Sequence, residues 1–571
     1  MFCLDDGVEL LYGPASMDEP ATAILSEPAA LVGGLTQPTK PVTEPVTAIF
    51  HARTEAEPQS NSGELTERQS ISAHRAAMPY RKLDARKVLF LISGIAILLL
   101  IAGFFGYRYF APAASKQIES IAVMPFVNES GNSEVDYLSD GMTETLISSL
   151  SQLPALNVKP RSMVFRYKGK EINLQTLGNE LGVEAVLSGR VVSRGADLSL
   201  FVELIDVAST KVIWSRQYNR KQSEIVALQS EIARDVSGKL NSRLSDADEQ
   251  KVTKIATDNP EAYRLYLLGN SLAARRKEKD LRAALEYYQQ AINLDPNYAL
   301  AYTGLASAHV FMAIYCGVPG SEELPKARTA VSKALEIDPN LAEAHNMMGG
   351  VELFLARDFA ANERETKRAL ELNPNLANAH RHNGLRLAWS GRFDEALTAF
   401  RHSLELDPMS LPANLNYAWC LYYAGRMAES DDQLRKVQQI DPGYWFTEYQ
   451  LFVNARGKRH YPAAVEHLAR TQELRDEPEA AKFIRESYKN AGWTGFMRIA
   501  IAEPEQSKIW DYYLASFAAE MGDKDRAFAF LDKAYEKYDQ FILFAKIDPL
   551  MDPLRGDPRY TELLRKLGFP N

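Results

Sequence analysis

NPNLANAHRHNGLRLAWSGRFDEALTAFRHSLELDP, residues 373–408, holds one full unit of a repeat that organises the C-terminal half of the chain. Its two halves, ANAHRHNGLRLAWS (377–390) and FDEALTAFRHSLEL (393–406), read as a pair of helices, the second with apolar residues three and four apart. Gly384, Ala396 and Ser403 are small where the two helices must approach, and Phe400 fills the gap between them. Pro408 follows the second helix because proline cannot continue it, and it directs the chain into the next pair. Related phrases are DPNYALAYTGLA (295–306), DPNLAEAHNMMG (338–349), DPMSLPANLNYA (407–418) and the weaker DPGYWFTEYQLF (441–452). The marker prolines 296, 339, 374, 408 and 442 are spaced by 43, 35, 34 and 34 residues. A period of this length predicts a stack of helical hairpins, none of which buries its own apolar face alone. Such a stack offers a surface for holding another molecule.

The pattern closely resembles tetratricopeptide repeats, which implies an all-α superhelical solenoid over residues 258–571 with a C-terminal cap. A first hairpin starts near Pro260, and an insertion, YCGVPGSEELP, accounts for the 43-residue gap in the second. YPAAVEHLARTQEL reads as a further second helix, and WDYYLASFAAEMGDKDRAFAFLDKAYEKYD as one more pair. In such solenoids the first helix of each hairpin lines a concave groove. Counting from the aligned prolines puts Phe311, Asn346, Phe354, Arg381, Trp389, Trp419, Tyr422 and Tyr423 on it, with Thr303 and Leu415 at matching positions. Aromatic rings there offer rigid area to a protein segment, and Asn346 and Arg381 offer polar contacts. Each ring serves equally well as core between stacked hairpins. No basic clamp for a terminal carboxylate is evident, so the expected partner is an internal peptide segment.

Val88–Tyr107 reads VLFLISGIAILLLIAGFFGY, twenty residues without a charge. At ~1.5 Å per residue this is long enough for the ~30 Å hydrocarbon layer. A transmembrane helix is expected there. Arg75, Arg81, Lys82, Arg86 and Lys87 precede the span and only Arg108 and Lys116 follow closely, so the N-terminus is expected in the cytoplasm. The expected location is the inner membrane of a bacterium, crossed once, with the C-terminal domains extracytoplasmic. Residues 1–87 are rich in Pro, Ala, Ser, Thr and Glu and are expected to be disordered and cytoplasmic. Their opening, MFCLDDG, is similar to the closing half of a zinc ribbon, but Cys3 alone cannot complete a tetrahedral site, so no metal is assigned.

Between span and repeats, residues 117–245 read β-α-β-α-β-β-β-α, which predicts a mixed sheet with helices against it. IAVMPFVNESGN, YLSDGMTETLISSLSQL, LGVEAVLSGRVVSRGADLSLFVELIDV and VIWSRQYNR resemble the amino-terminal α/β domain of TolB-type periplasmic proteins. The polar stretch SDADEQKVTKIATD (245–258) reads as a spacer, so the α/β block and the repeats are expected to fold separately.

A net charge of −9 and a pI near 5.7 argue against a general nucleic-acid surface, so no nucleic-acid partner is expected. No phosphate-binding glycine loop, nucleophile elbow or HExxH zinc motif is present, and no catalytic residue, cofactor or metal is assigned. His345, His380 and His382 are read as structural, and Asp140-Gly141 as a turn leading into a helix. Cys316 and Cys420 fall about three hairpins apart and are expected to stay unbridged. Two functions follow. One is a membrane-anchored, non-enzymatic scaffold or adaptor binding a protein outside the cytoplasm. The other, implied by the family resemblance, is a transmembrane sensor or regulator whose cytoplasmic DNA-binding or kinase module is missing or shortened here.

Overall fold

The computed structural model describes residues 90, 93–103, 118–132, 135–170, 173–240 and 245–569. Contacts divide the chain into two units, residues 1–106 and 107–571. In the first, residues 93–103 are helical, and Leu98, Leu99 and Leu100 are exposed. Among the described residues no helix is long and apolar enough to cross a membrane. The remainder of the expected 88–107 span, apart from Phe90, lies outside the described residues, as do residues 1–87 with Cys3.

The second unit begins with a mixed sheet of order β3-β1-β4-β5-β6, with β2 also paired to β4. β1 (Ser120–Val123) runs parallel to β3 (Asn157–Val158) and to β4 (Ala185–Arg194). β2 (Val127–Asn128) is likewise parallel to β4. β4, β5 (Asp197–Asp206) and β6 (Val212–Lys221) form an antiparallel meander, which Gly195 turns with φ +60°. The expected second strand is cut to two residues. Pro160 has no N–H to extend the ladder, and the chain turns into the short helix α2 (Arg161–Val164). Between β2 and β3 lies α1 (Asp136–Ser151), before β4 lies α3 (Leu174–Leu181), and after β6 lies α4 (Ile225–Leu240). α4 buries Ile225, Leu228, Ile232, Ala233 and Val236, its apolar face at helical spacing.

Six hairpins follow: Pro260–Ala273 with Glu278–Leu294, Ala299–Tyr315 with Gly320–Ile337, and Ala342–Val351 with Phe359–Leu372, then Ala377–Trp389 with Phe393–Leu406, Leu411–Tyr423 with Met427–Ile440, and Trp445–Gly457 with Tyr461–Leu474. The insertion in the second hairpin mostly extends a helix, which begins at Gly320 and carries Pro325 within it. A long helix, Pro478–Ala502, breaks direction at Gly492, whose φ of +64° only glycine adopts readily. A seventh hairpin, Asp511–Glu520 with Lys524–Glu536, precedes two 3₁₀ turns and the final helix Pro558–Lys566.

Gly384, placed in the sequence at a helix–helix approach, meets Phe400: a Cβ there would lie 2.7 Å from Cε1 of the ring. Gly269 and Gly304 hold Tyr288 between neighbouring hairpins in the same way. His345 and His380 are structural. Each lies six residues past a marker proline and donates from Nε2 to that proline's carbonyl, Pro339 and Pro374, at 2.9 Å. Asn414 does the same for Pro408 through Nδ2, also at 2.9 Å. Each device closes the turn between hairpins by satisfying a carbonyl the helix cannot use.

The stretch read as a spacer is instead part of the packing. Ser245 caps a short helix, α5 (Asp246–Val252), Val252 is buried, and the Thr257 hydroxyl donates to Asp295. α1 lies against the first hairpin, and Gly141 falls inside α1 rather than in a turn before it. A Cβ there would lie 2.6 Å from Leu267, so the missing side chain sets the approach of the two helices. The marker turns of later hairpins also grip the α/β block. Asn375 donates to the carbonyls of Ser151 and Leu153 at 3.1 and 3.3 Å, the Ser162 hydroxyl donates to Asp407, and Asp338 pairs with Lys254 of the linking stretch at 2.6 Å. One hydrophobic core therefore runs from Leu146, Leu187 and Ile232 through Tyr263, Leu267, Tyr298 and Ala301.

Candidate binding site in the solenoid groove

The first helices of hairpins two to five face inward and enclose a cavity of 180 Å³. Phe311, Asn346, Phe354, Arg381, Trp389 and Trp419 all lie on its lining, as does Leu415. Tyr422 and Tyr423 do not; Tyr422 packs in the core and Tyr423 stacks on Phe544 with ring centroids 5.0 Å apart. Thr303 is buried with its hydroxyl donating to Ala299 of its own helix. Phe354 stands on a π turn, Glu352–Ala356, a local widening of the helix that ends at Arg357 in a left-handed conformation.

The groove is not the open channel a peptide would cross. The solenoid curls until Tyr315 of the second hairpin meets Phe446 of the sixth edge-on, centroids 5.9 Å apart. The 3₁₀ turn Gln540–Phe544 then enters from the C-terminal side. Phe544 meets Trp389 and Trp419 edge-on at 5.8 and 5.1 Å, and Phe541 packs on Tyr449 at 4.9 Å. Trp389 is 1% exposed and Trp419 8%, so rings expected to await a partner are covered by the chain itself. Arg357 holds this closure from the third hairpin, donating to the Tyr535 carbonyl at 2.8 Å and lying 3.8 Å above its ring. Gln540 completes the wall of the cavity.

What remains open is polar and aromatic. Arg381 donates to Asn416 Oδ1 at 3.1 Å and to His382 Nε2 at 2.6 Å. His382 therefore carries its proton on Nδ1 and donates it to Asn346 Oδ1 at 2.8 Å. Burial keeps His382 neutral by pushing its pKa well below the usual histidine value, and Arg381 beside it adds to the effect. Burial also lowers the Arg381 guanidinium to about 10, which leaves it cationic at neutral pH. Arg276 lies over the rings of Phe311 and Tyr315, 5.5 and 4.9 Å from their centroids. Sequence reasoning missed Arg276, Asn416 and His382. The first comes from the turn of another hairpin, and His382 was grouped with its structural neighbours.

The cavity adjoins a wider cleft of 920 Å³ formed by the turns between hairpins. Arg276, Tyr315, Asn378, Pro412 and Tyr444 line both spaces. Among the described residues no group of His, Cys, Asp and Glu is arranged to hold a metal ion. Cys316 and Cys420 are both free, and burial raises Cys316 to about 11 and Cys420 to about 12.

Asp539 caps the 3₁₀ turn by accepting from the Phe541 amide at 2.9 Å, and burial raises its carboxyl to about 7. A raised carboxyl is protonated in the folded chain where the unfolded chain has already ionised. Its stabilising contribution is complete below about pH 4 and is lost as pH rises through 7. Asp539→Asn is expected to flatten this dependence and to gain about 1–2 kcal/mol at pH 8, a figure reduced because the side chain keeps some contact with water. Denaturant unfolding at pH 5 and pH 8 checks it; an equal change in the two proteins between those pH values would refute the assignment.

The architecture is a tetratricopeptide-repeat solenoid joined to a mixed α/β domain, the form of a protein-interaction scaffold. Residues 116–235 match the family described as HilA/YgeH-like transcriptional regulator, second domain, and residues 265–298 match the tetratricopeptide repeat family. The chain is 31% identical over 187 residues to the protein named "Putative adenylate cyclase 3" of Rhizobium meliloti, covering 33% of this chain and 32% of that one. It is 21% identical over 374 residues to the transcriptional regulator HilA of Salmonella typhimurium, covering 64% and 65%. The chain thus spans about a third of the first relative and just under two thirds of the second. Among solved structures, YrrB, described as a TPR protein with an unusual peptide-binding site, is similar at 26% identity and a TM-score of 0.23, covering 33% of this chain and 91% of that one. Yeast Tom70 is similar at 17% identity and a TM-score of 0.34, covering 53% and 67%.

Proposed function

We propose that the chain is a non-enzymatic, membrane-anchored scaffold that holds a protein segment in the cleft between its repeat turns. The 920 Å³ cleft carries the reading, because the chain's own C-terminal turn narrows the inner groove to a 180 Å³ cavity and leaves the cleft open. Its walls mix Lys277 and Arg475 with Asp441, Asp476 and Glu477, which suits a polar segment carrying both signs of charge. The anchor is the uncharged stretch 88–107, supported by the exposed apolar side chains of 93–103, with the TolB-like α/β block and the repeats outside the cytoplasm. Affinity capture by the full chain tests the cleft. Lys277→Glu with Glu477→Lys is expected to weaken retention of the captured partner about tenfold or more, with an unchanged melting temperature. Retention equal to that of the wild type sinks the cleft assignment. Alkaline phosphatase fused after Asn571 reads the topology, with activity expected outside the cytoplasm and its absence refuting that orientation.

A second reading is a sensor or regulator that relays binding to another module. The 374-residue similarity to a transcriptional regulator favours it, as does the shared core, since a ligand in the solenoid would act on the α/β block through continuous packing.

A further inference from the structure

We infer that the 180 Å³ cavity is a receptor site for a small organic carboxylate with an aromatic or apolar body. This does not depend on the cleft holding a protein. Two guanidinium groups border the cavity, Arg276 and Arg381, and among the described residues neither has a carboxylate partner. Arg381 is met by neutral groups: Asn378 Oδ1 at 3.4 Å, Asn416 Oδ1 at 3.1 Å and His382 Nε2 at 2.6 Å. Both are half-buried, and partly desolvated cations without a counter-ion are costly, so a site that keeps two of them together gains from an anion. Burial lowers the Arg381 pKa, the response expected of a cation still lacking its anion.

The walls around the arginines set the character of the rest of the ligand. The rings of Trp389 and Trp419 line the cavity with their carbon faces, while their indole N–H groups are buried out of its reach. Beside neutral polar groups such as Asn346 and Gln540, much of the wall is aromatic or aliphatic, including Phe354 and Phe446, which suits an apolar body better than a second charge.

Size narrows the class further. A volume of 180 Å³ open to water-sized groups takes on the order of ten of them, which excludes a peptide of several residues and fits a compact acid. A planar monoanion matches the guanidinium fork, whereas a phosphate dianion would bring a third oxygen and a second charge toward apolar walls. Entry is from the cleft, past Arg276, Tyr315 and Tyr444, which border both spaces.

Phenylacetate titrated into the full chain tests the proposal, followed by calorimetry and by tryptophan fluorescence. Saturable binding with a Kd below about 1 mM is expected, with a change in emission because two tryptophans line the site. The neutral isostere phenylacetamide should bind about tenfold or more weakly. Arg381→Met should lower phenylacetate affinity about tenfold or more while leaving phenylacetamide affinity unchanged. Melting of each unliganded variant shows whether it folds, and should Arg381→Met not fold, Arg276→Gln decides by the same comparison. The assignment is overturned if phenylacetate, 3-phenylpropionate and hexanoate all fail to saturate. It is equally overturned by equal binding of acid and amide, by unchanged affinity in the folded variant, or by tighter binding of phenyl phosphate.

Discussion

Cut at residue 257, the repeat array is expected to lose its cooperative unfolding and to aggregate, although its own helices remain intact in sequence. The cut strips the α/β block from Tyr263, Leu267, Ile292, Tyr298 and Ala301, which share its core and are at most 6% exposed. Uncovering a large apolar side chain costs about 1.5–3 kcal/mol, so four such residues amount to several kcal/mol. That is comparable with the whole stability of a typical domain, about 5–15 kcal/mol. Two hydrogen bonds go with them, since the Tyr263 hydroxyl meets Gln229 and lies 3.2 Å from Thr145. Calorimetry on residues 118–571 should show the α/β block and the first hairpin melting in one transition. Fragment 258–571 should melt far lower or precipitate. Two soluble fragments whose separate transitions match those of the joined protein would restore the spacer that the polar stretch 245–258 suggested.

Phe544→Ala is the point substitution with the largest expected effect, a loss of about 3–5 kcal/mol. The ring is 3% exposed, stacks on Tyr423 and meets Trp389 and Trp419. Its removal leaves a cavity among three aromatic residues and unfastens the turn that closes the groove. Beyond the lower melting temperature, protease cleavage within 538–556 should accelerate and tryptophan emission should shift to the red. A wild-type digestion pattern would mean that the turn is held elsewhere. The same packing alters the expectation for Trp419→Ala. A ring that only lined an open groove would be dispensable for folding, whereas Phe400, packed against Gly384 between two helices, would not. With Trp419 packed against Phe446, Phe541 and Phe544, both substitutions are expected to cost stability.

The groove shows how far local pattern reaches. Phe311, Asn346, Phe354, Arg381, Trp389 and Trp419 were legible as inward-facing because position within a 34-residue unit fixes which way a helix face points. Tyr422 and Tyr423 share the helix face of Trp419 but lie one turn further along, where Phe544 stacks on Tyr423 and Tyr422 packs against Gly457 of the next hairpin. Whether those rings meet a partner depended on Gln540–Phe544, over a hundred residues downstream, where the repeat pattern has faded. Arg276 was invisible for a related reason. It sits in a turn with φ +52°, outside any helical period, and reaches the cavity only because the solenoid curls.

The sequence by itself determined the hairpins, their order, the inward face of most first helices and the α/β block apart from the two-residue strand β2 and the short helix α2, because these rest on periodicity and on the local chemistry of proline and glycine. Only the tertiary structure decided that the solenoid closes on itself, that its C-terminal turn narrows the groove to a cavity, and that the α/β block shares a core with the first hairpin. Those outcomes are settled by contacts between residues far apart in the chain. Which apolar surface covers which is a matter of shape and buried area, and a repeat period carries no record of either.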